Sequence, residues 1–221
     1  MADRGVIFDM DGVLVDSYRA HFESWRRLAR AHGLSITQQQ FAATFGRTSR
    51  EIIETMWKVG EQETAAWDAE KEALYREIIL ADFPEMDGAG DLLAALAEAG
   101  FKLAVGSSGP PENVEAVMKR LPNAEMIDAT VNGMEVTHGK PHPEVFLAAA
   151  AKLGIEPRRC AVVEDAVSGV EAARRAGMAA VTITGTASRE ELAKRAHLVV
   201  DGLRELTPPR IAELIDRKEF Q

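Results

Sequence analysis

Residues Gly5–Ser17 read GVIFDMDGVLVDS. Three apolar residues, Val6 to Phe8, run straight into two acids, Asp9 and Asp11. A short apolar run of this kind reads as a buried strand, and buried strands do not usually end in paired carboxylates. Like charges this close repel, and each carboxyl is driven towards its neutral form. A cation is the simplest compensation, so the rest of the chain should carry what a cation needs.

Outward from that strand the pattern first turns helical. Apolar residues Phe22, Trp25, Leu28 and Ala29 recur at spacings of three and four, predicting a helix from about Ser17 to His32 that stops at Gly33. A short helix is expected in GLSITQQQFAATFG after the Ser35–Thr37 turn. Another is expected in TSREIIETMWKVG, capped by Ser49 and stopped by Gly60, and a longer one in TAAWDAEKEALYREIILADF. Residues 17–82 therefore read as a helical insertion. From about Phe83 strands and helices alternate. FKLAVGSS, MIDATV, RCAVVED, MAAVTIT and AHLVV read as strands. AGDLLAALAEAG, PENVEAVMKRL (with Pro111 at its start), PEVFLAAAAKLG (with Pro143 in its first turn) and SGVEAARRAG read as helices. Such alternation implies right-handed crossovers and a mostly parallel sheet. The expected fold class is α/β: a doubly wound, mostly parallel, Rossmann-like sheet formed by residues 1–16 and 83–221. The helical cap domain, residues 17–82, is inserted after the first strand.

The 221 residues are 46% hydrophobic and 28% charged, which suffices for one large core with a small satellite domain. The formal net charge of −9 argues against a nucleic-acid binder. A single cysteine, Cys160, excludes an internal disulfide and fits a reducing compartment. No apolar run approaches the roughly 20 residues that span a bilayer, and the first residues lack a signal-peptide pattern. A soluble cytoplasmic protein, monomeric or weakly dimeric, is expected, with no nucleic-acid or membrane partner.

In an open parallel sheet, ligands bind beyond the carboxyl ends of the strands. Asp9 and Asp11 end the first strand, Ser107 and Ser108 the second, and Glu164 and Asp165 the fourth, while HGKPHP places Lys140 after the third. Acids from two strands suit a hard divalent cation such as Mg²⁺. A serine hydroxyl with adjacent backbone N–H groups, together with a lysine, suits phosphate oxygens. A metal-neutralised carboxylate can attack phosphorus, and a second carboxylate two residues on can handle the leaving group's proton. Cys160 precedes apolar Ala161–Val163 and reads as a buried strand residue, and His138 and His142, flanking Lys140, read as solvated loop.

DMDGVLVDS, VGSSG, GKPHPEVF and VVEDAVSGVEAARRAGM, in this order and over essentially the whole chain, resemble the four motifs of the haloacid dehalogenase-like (HAD) hydrolase superfamily. The branch they resemble holds the β-phosphoglucomutases and phosphoglycolate phosphatases. The resemblance implies Asp9 as nucleophile forming an aspartyl-phosphate. It implies Asp11 as general acid and base that also offers its carbonyl to the metal, and Ser107 and Lys140 holding the phosphoryl group. Asp165 would be a Mg²⁺ ligand, with Glu164 beside it as ligand or outer support. His21 and Trp25 match residues that contact substrate in β-phosphoglucomutases, and GRTSRE places Arg47 or Arg50 where relatives grip the substrate. The basic residue of the last cap helix in mutases aligns near Glu77, beside Arg76. The implied activity is a Mg²⁺-dependent phosphatase for a small phosphorylated metabolite, a sugar phosphate or similar. The alternatives are a β-phosphoglucomutase-like phosphotransferase and a catalytically inactive binding module. Asp11 argues against a dehalogenase, and the lack of a suitably placed lysine in the early cap argues against a phosphonatase.

Overall fold

A computed structural model describes residues 4–44 and 48–217. Contacts divide the chain into two compact units, Met1–Asp16 with Glu85–Gln221, and Ser17–Pro84. In the first unit, β1 (Gly5–Phe8) leads towards the insertion. The chain returns through α5 (Ala89–Glu98), β2 (Lys102–Gly106), α6 (Pro111–Met118), β3 (Ala129–Val131), α7 (Glu144–Leu153) and β4 (Cys160–Glu164). It continues through α8 (Val167–Arg175), β5 (Ala179–Ile183), α9 (Arg189–Ala193), β6 (Leu198–Val200) and α10 (Pro208–Asp216). The strands form one parallel sheet in the order β3-β2-β1-β4-β5-β6. This is the doubly wound arrangement that the alternation predicts, and the order reverses between β1 and β4, where such folds bind ligands.

Helices on both faces remove the central strands from water, which explains why they read as unbroken apolar runs rather than alternating ones. Val6, Ile7, Phe8, Ala161, Val162 and Val163 are all fully buried. Each large side chain so buried contributes about 1.5–3 kcal/mol. Pro111 opens α6 as expected, since a first-turn residue has no helical use for its N–H. Pro143 instead occupies the cap position just before α7. Helices α9 and α10 went unrecognised in the sequence; serine and threonine caps, Ser188 and Thr207, start them.

The second unit holds four helices among its described residues: α1 (Tyr18–Ala31), α2 (Gln38–Ala42), α3 (Ser49–Trp57) and α4 (Glu61–Ala81). Two caps differ from expectation. Thr48, not Ser49, caps α3: its hydroxyl accepts from Glu51 N (3.3 Å), and Glu51 reaches back to Thr48 N (2.9 Å). Helix α3 ends on Lys58, which takes a left-handed conformation at φ 53°, and Gly60 instead precedes α4. The unit's core comprises Trp25, Leu28, Ala29, Ile36, Phe41, Ile52 and Ile53. No described helix is long and apolar enough to cross a membrane.

Candidate active site

The sheet register assembles the site. Phe8 pairs with Val163 on one side and Val105 on the other, so Asp9 emerges level with Glu164, and Ser107 lies just beyond the end of β2. Asp9 N donates to Val163 O (2.9 Å), extending the ladder by one bond and fixing where its carboxylate leaves the sheet. Lys140 arrives from the loop before α7. Its Nζ donates to Asp9 Oδ1 (2.7 Å) and Glu164 Oε1 (2.8 Å), and lies 4.9 Å from the Phe146 ring centroid. The cation thus rests on an aromatic face while bridging two strands.

Glu164 is held on every side. Its Oε2 accepts from the backbone N–H groups of Asp165 and Ala166, both at 2.7 Å, while Oε1 accepts from Lys140. Gly169, in the first turn of α8, makes room for it: a Cβ at that position would lie 1.7 Å from Oε1. A second glycine serves Asp165. Gly12 adopts φ +77°, and a Cβ there would lie 2.4 Å from Asp165 Oδ2. The turn after Asp11 therefore packs its bare backbone against the carboxylate from β4. Thr186 Oγ1 donates to the carbonyl of Asp165. Ser107 is buried, and its Oγ accepts from Gly109 N (3.0 Å), whereas Ser108 is exposed.

Asp9, Glu164 and Asp165 bring carboxylate oxygens within 4.8 Å of one another. All three are buried, and the one described lysine among them is Lys140. Burial raises the Asp9 carboxyl to about 7; Lys140 opposes the rise, and Glu164 and Asp11 add to it. Asp165 is raised well above the ordinary carboxylate range, first by burial and then by Glu164 and Asp9. Burial alone would lower the Lys140 amine, but Asp9 and Glu164 outweigh it and raise the amine above its usual value. One amine cannot neutralise this many acids. An all-oxygen set at this spacing, short of positive charge, fits a hard divalent cation.

The helical unit holds a separate polar cluster. Lys71 is only 2% exposed. An ammonium has only donors, so Lys71 Nζ donates both to His21 Nδ1 (2.9 Å) and to Glu72 Oε1 (2.8 Å). His21 stacks on Tyr75 with ring centroids 4.1 Å apart. Ser49 Oγ also donates to Glu72 Oε1 (2.8 Å), which ties the start of α3 to this group. Burial and Glu72 raise the Asp68 carboxyl, opposed by Lys71 and Arg50, which places exposed Arg50 near the cluster. Trp25 is buried in the helical core with its ring 5.6 Å from Lys71 Nζ, so it meets this cluster through the amine rather than through an exposed face. Arg47 lies outside the described residues.

Lys71, Gly12, Gly169, Thr186 and Phe146 escaped the sequence reading. The basic residue that meets His21 is Lys71, which the sequence reading did not single out. Lys71 does carry a signal: the buried positions of α4 are Thr64, Lys71, Tyr75 and Ile79, spaced seven, four and four. A lysine on a helix's buried stripe is out of place unless paired. Cys160 is buried, and burial pushes its thiol up to about 12, as suits a strand residue rather than a nucleophile.

A family model described as haloacid dehalogenase-like hydrolase matches residues 4–177. The chain belongs to this family. It is 33% identical over 189 residues to β-phosphoglucomutase of Bacillus subtilis, covering 81% of this chain and 83% of that one. It is 32% identical over 181 residues to fructose-1-phosphate phosphatase YqaB of Escherichia coli, covering 81% and 95%. A crystal structure of an HAD hydrolase, family IA, variant 3, from Entamoeba histolytica superposes with a TM-score of 0.89 at 26% identity, covering 97% of this chain and 100% of that one. The chain is accordingly an HAD-like hydrolase whose relatives include both phosphatases and a phosphomutase.

Proposed function

We propose that this enzyme is a Mg²⁺-dependent phosphomonoesterase for a small phosphorylated metabolite, a sugar phosphate or similar, working through an aspartyl-phosphate on Asp9. The observation that carries the reading is the bridge from Lys140 to Asp9 and Glu164 beside Asp165, a cluster of buried acids with a deficit of positive charge. Asp9 and Asp165 would hold Mg²⁺ with the Asp11 carbonyl, while Glu164, both of whose oxygens are engaged, supports Lys140 and the Asp165 backbone. The bound cation would lower the repulsion between carboxylate and phosphate.

Each step then falls to a residue of the chain. Asp9 attacks phosphorus, the bond to the ester oxygen breaks, and Asp11 protonates that oxygen. Asp11 next takes a proton from water, which attacks phosphorus; inorganic phosphate leaves and the Asp9 carboxylate is restored. Lys140 offers charge, and Ser107 a hydroxyl, to the phosphoryl oxygens. We assign substrate selection to the polar cluster of the helical unit, with Arg47 or Arg50 as further cations. Hydrolysis of p-nitrophenyl phosphate with and without Mg²⁺ is the test, with Asp9→Asn as the critical variant. An amide neither attacks well nor completes the metal site, so turnover should vanish; a residual rate within about tenfold of wild type would remove Asp9 from the role.

The Lys71–His21 pair favours a second reading. A buried amine beside an imidazole can orient a sugar hydroxyl or a second phosphate. The phosphoenzyme would then pass its group to a bound sugar rather than to water. Supplying β-glucose 1-phosphate with a trace of the bisphosphate distinguishes the two: a mutase releases glucose 6-phosphate, a phosphatase inorganic phosphate.

A further inference from the structure

Two residues to either side of Lys140 stand His138 and His142, and two further on stands Glu144. The loop folds these three onto one another. His138 Nδ1 lies 2.9 Å from Glu144 Oε2, and His142 Nδ1 lies 3.6 Å from the same oxygen. The two imidazole centroids are 4.5 Å apart at an interplanar angle of 38°. One ligating atom from each residue falls within a common span of 4.8 Å. A tetrahedral metal with ligand bonds of about 2.0–2.1 Å separates its ligand atoms by about 3.3 Å, so the observed distances need only small rotations of exposed side chains. Glu144 is anchored independently of any metal: Oε1 accepts from Thr137 N (2.8 Å) and Oε2 from His138 N (3.1 Å).

We propose that His138, His142 and Glu144 form a second metal site, specific for a nitrogen-preferring divalent ion such as Zn²⁺, with one coordination position open to solvent. Chemistry separates it from the acid cluster. Asp9, Glu164 and Asp165 offer only oxygen, which suits Mg²⁺, whereas two imidazoles and one carboxylate suit Zn²⁺, Ni²⁺ or Cu²⁺. The imidazoles bind neutral, through Nδ1, with the proton on Nε2. The ion replaces the His138–Glu144 hydrogen bond while Oε1 keeps its bond to Thr137 N. Side-chain exposures of 62% for His138 and 49% for His142 leave an ion free entry. Because the ligands bracket Lys140, a bound ion ties down both flanks of the loop that presents this lysine to Asp9.

The proposal stands apart from the phosphatase reading and is tested without any activity assay. The full chain, saturated with Mg²⁺ to occupy the acid cluster, is titrated with Co²⁺ while visible absorbance is followed. A tetrahedral nitrogen-ligated site gives an intense band that saturates at one equivalent and is bleached by Zn²⁺. His138→Ala/His142→Ala should lose the band and weaken Zn²⁺ binding by about tenfold or more, while Asp165→Ala should keep it. The exposed histidines carry no core, so circular dichroism of the double variant should match wild type. Absence of the band in wild type would overturn the proposal, as would its survival in the histidine double variant or its loss in Asp165→Ala alone.

Discussion

Gly169→Ala probes the acid cluster from a residue that takes no part in chemistry. The added Cβ would lie 1.7 Å from Glu164 Oε1 and 1.9 Å from its Cδ. Ordinary contact requires about 3.4 Å, so the carboxylate must retreat by about 1.5–2 Å. That retreat breaks the 2.8 Å bond from Lys140 and strains the 2.7 Å bonds from the Asp165 and Ala166 N–H groups. Disrupting a buried charged network of this kind costs about 3–5 kcal/mol. Replacing glycine in a helix returns about 0.5–1 kcal/mol, leaving a net loss of about 2–4 kcal/mol. At about 2–4 °C per kcal/mol for a chain of this length, the melting temperature should fall by about 4–16 °C, and turnover should fall with it as Lys140 loses one of its two anchors. Thermal melts of the four proteins in a double-mutant cycle with Glu164→Ala isolate the cause. Without the Glu164 side chain the three atoms nearest the methyl group are gone, and the cost of Gly169→Ala should largely disappear. Gly185→Ala, where an added Cβ meets nothing within 4 Å, is the control. The reasoning is refuted if Gly169→Ala melts like wild type, or if its cost is the same with and without the Glu164 side chain.

Three further outcomes are expected. Asp165→Ala should raise the Mg²⁺ concentration for half-maximal rate by about tenfold or more; an unchanged titration would remove it from the metal site. Asp9 is raised from 3.8 to about 7, so in this window the folded state holds more protons than the unfolded state, and its contribution to stability falls as pH rises. Metal-free protein should therefore gain more in melting temperature from Mg²⁺ at about pH 8 than at about pH 5, and equal gains would contradict the assignment. Lys71→Met should reduce kcat/KM for the preferred metabolite far more than for p-nitrophenyl phosphate, which offers the helical unit little to grip; equal losses would make Lys71 a purely structural amine.

The sheet and the residues at its edge were legible because both rest on local rules. An apolar run that breaks into Asp9 and Asp11, or into Glu164 and Asp165, marks a strand end without knowledge of its neighbours. Strand–helix alternation then sets the parallel topology that gathers those ends. The sequence did not reveal which atoms touch. That Glu164 rather than Asp165 takes Lys140 follows from the pairing of Phe8 with Val163, which puts Asp9 and Glu164 side by side. The roles of Gly12 and Gly169 follow from the same register: each glycine is explained by a carboxylate more than a hundred residues away or on the preceding strand, and no local pattern separates it from an ordinary turn or helix glycine.

The helical unit was harder to read for a different reason. Helix α4 is rich in Ala and Glu, a composition that normally means a solvated face, so nothing local distinguishes Lys71 from a solvated basic residue such as Arg76. Its burial depends on where Tyr75 and Ile79 point, and those residues put position 71 on the inward stripe. A buried ammonium is tolerated only with partners, and His21, fifty residues earlier, and Glu72 supply them. The pairing is therefore a property of how α1 packs on α4. An apolar residue at position 71 would satisfy that packing at least as well. On the proposed function the charge at position 71 would serve a phosphorylated substrate, and the comparison of Lys71→Met on the two substrates decides between that role and a purely structural pair with Glu72.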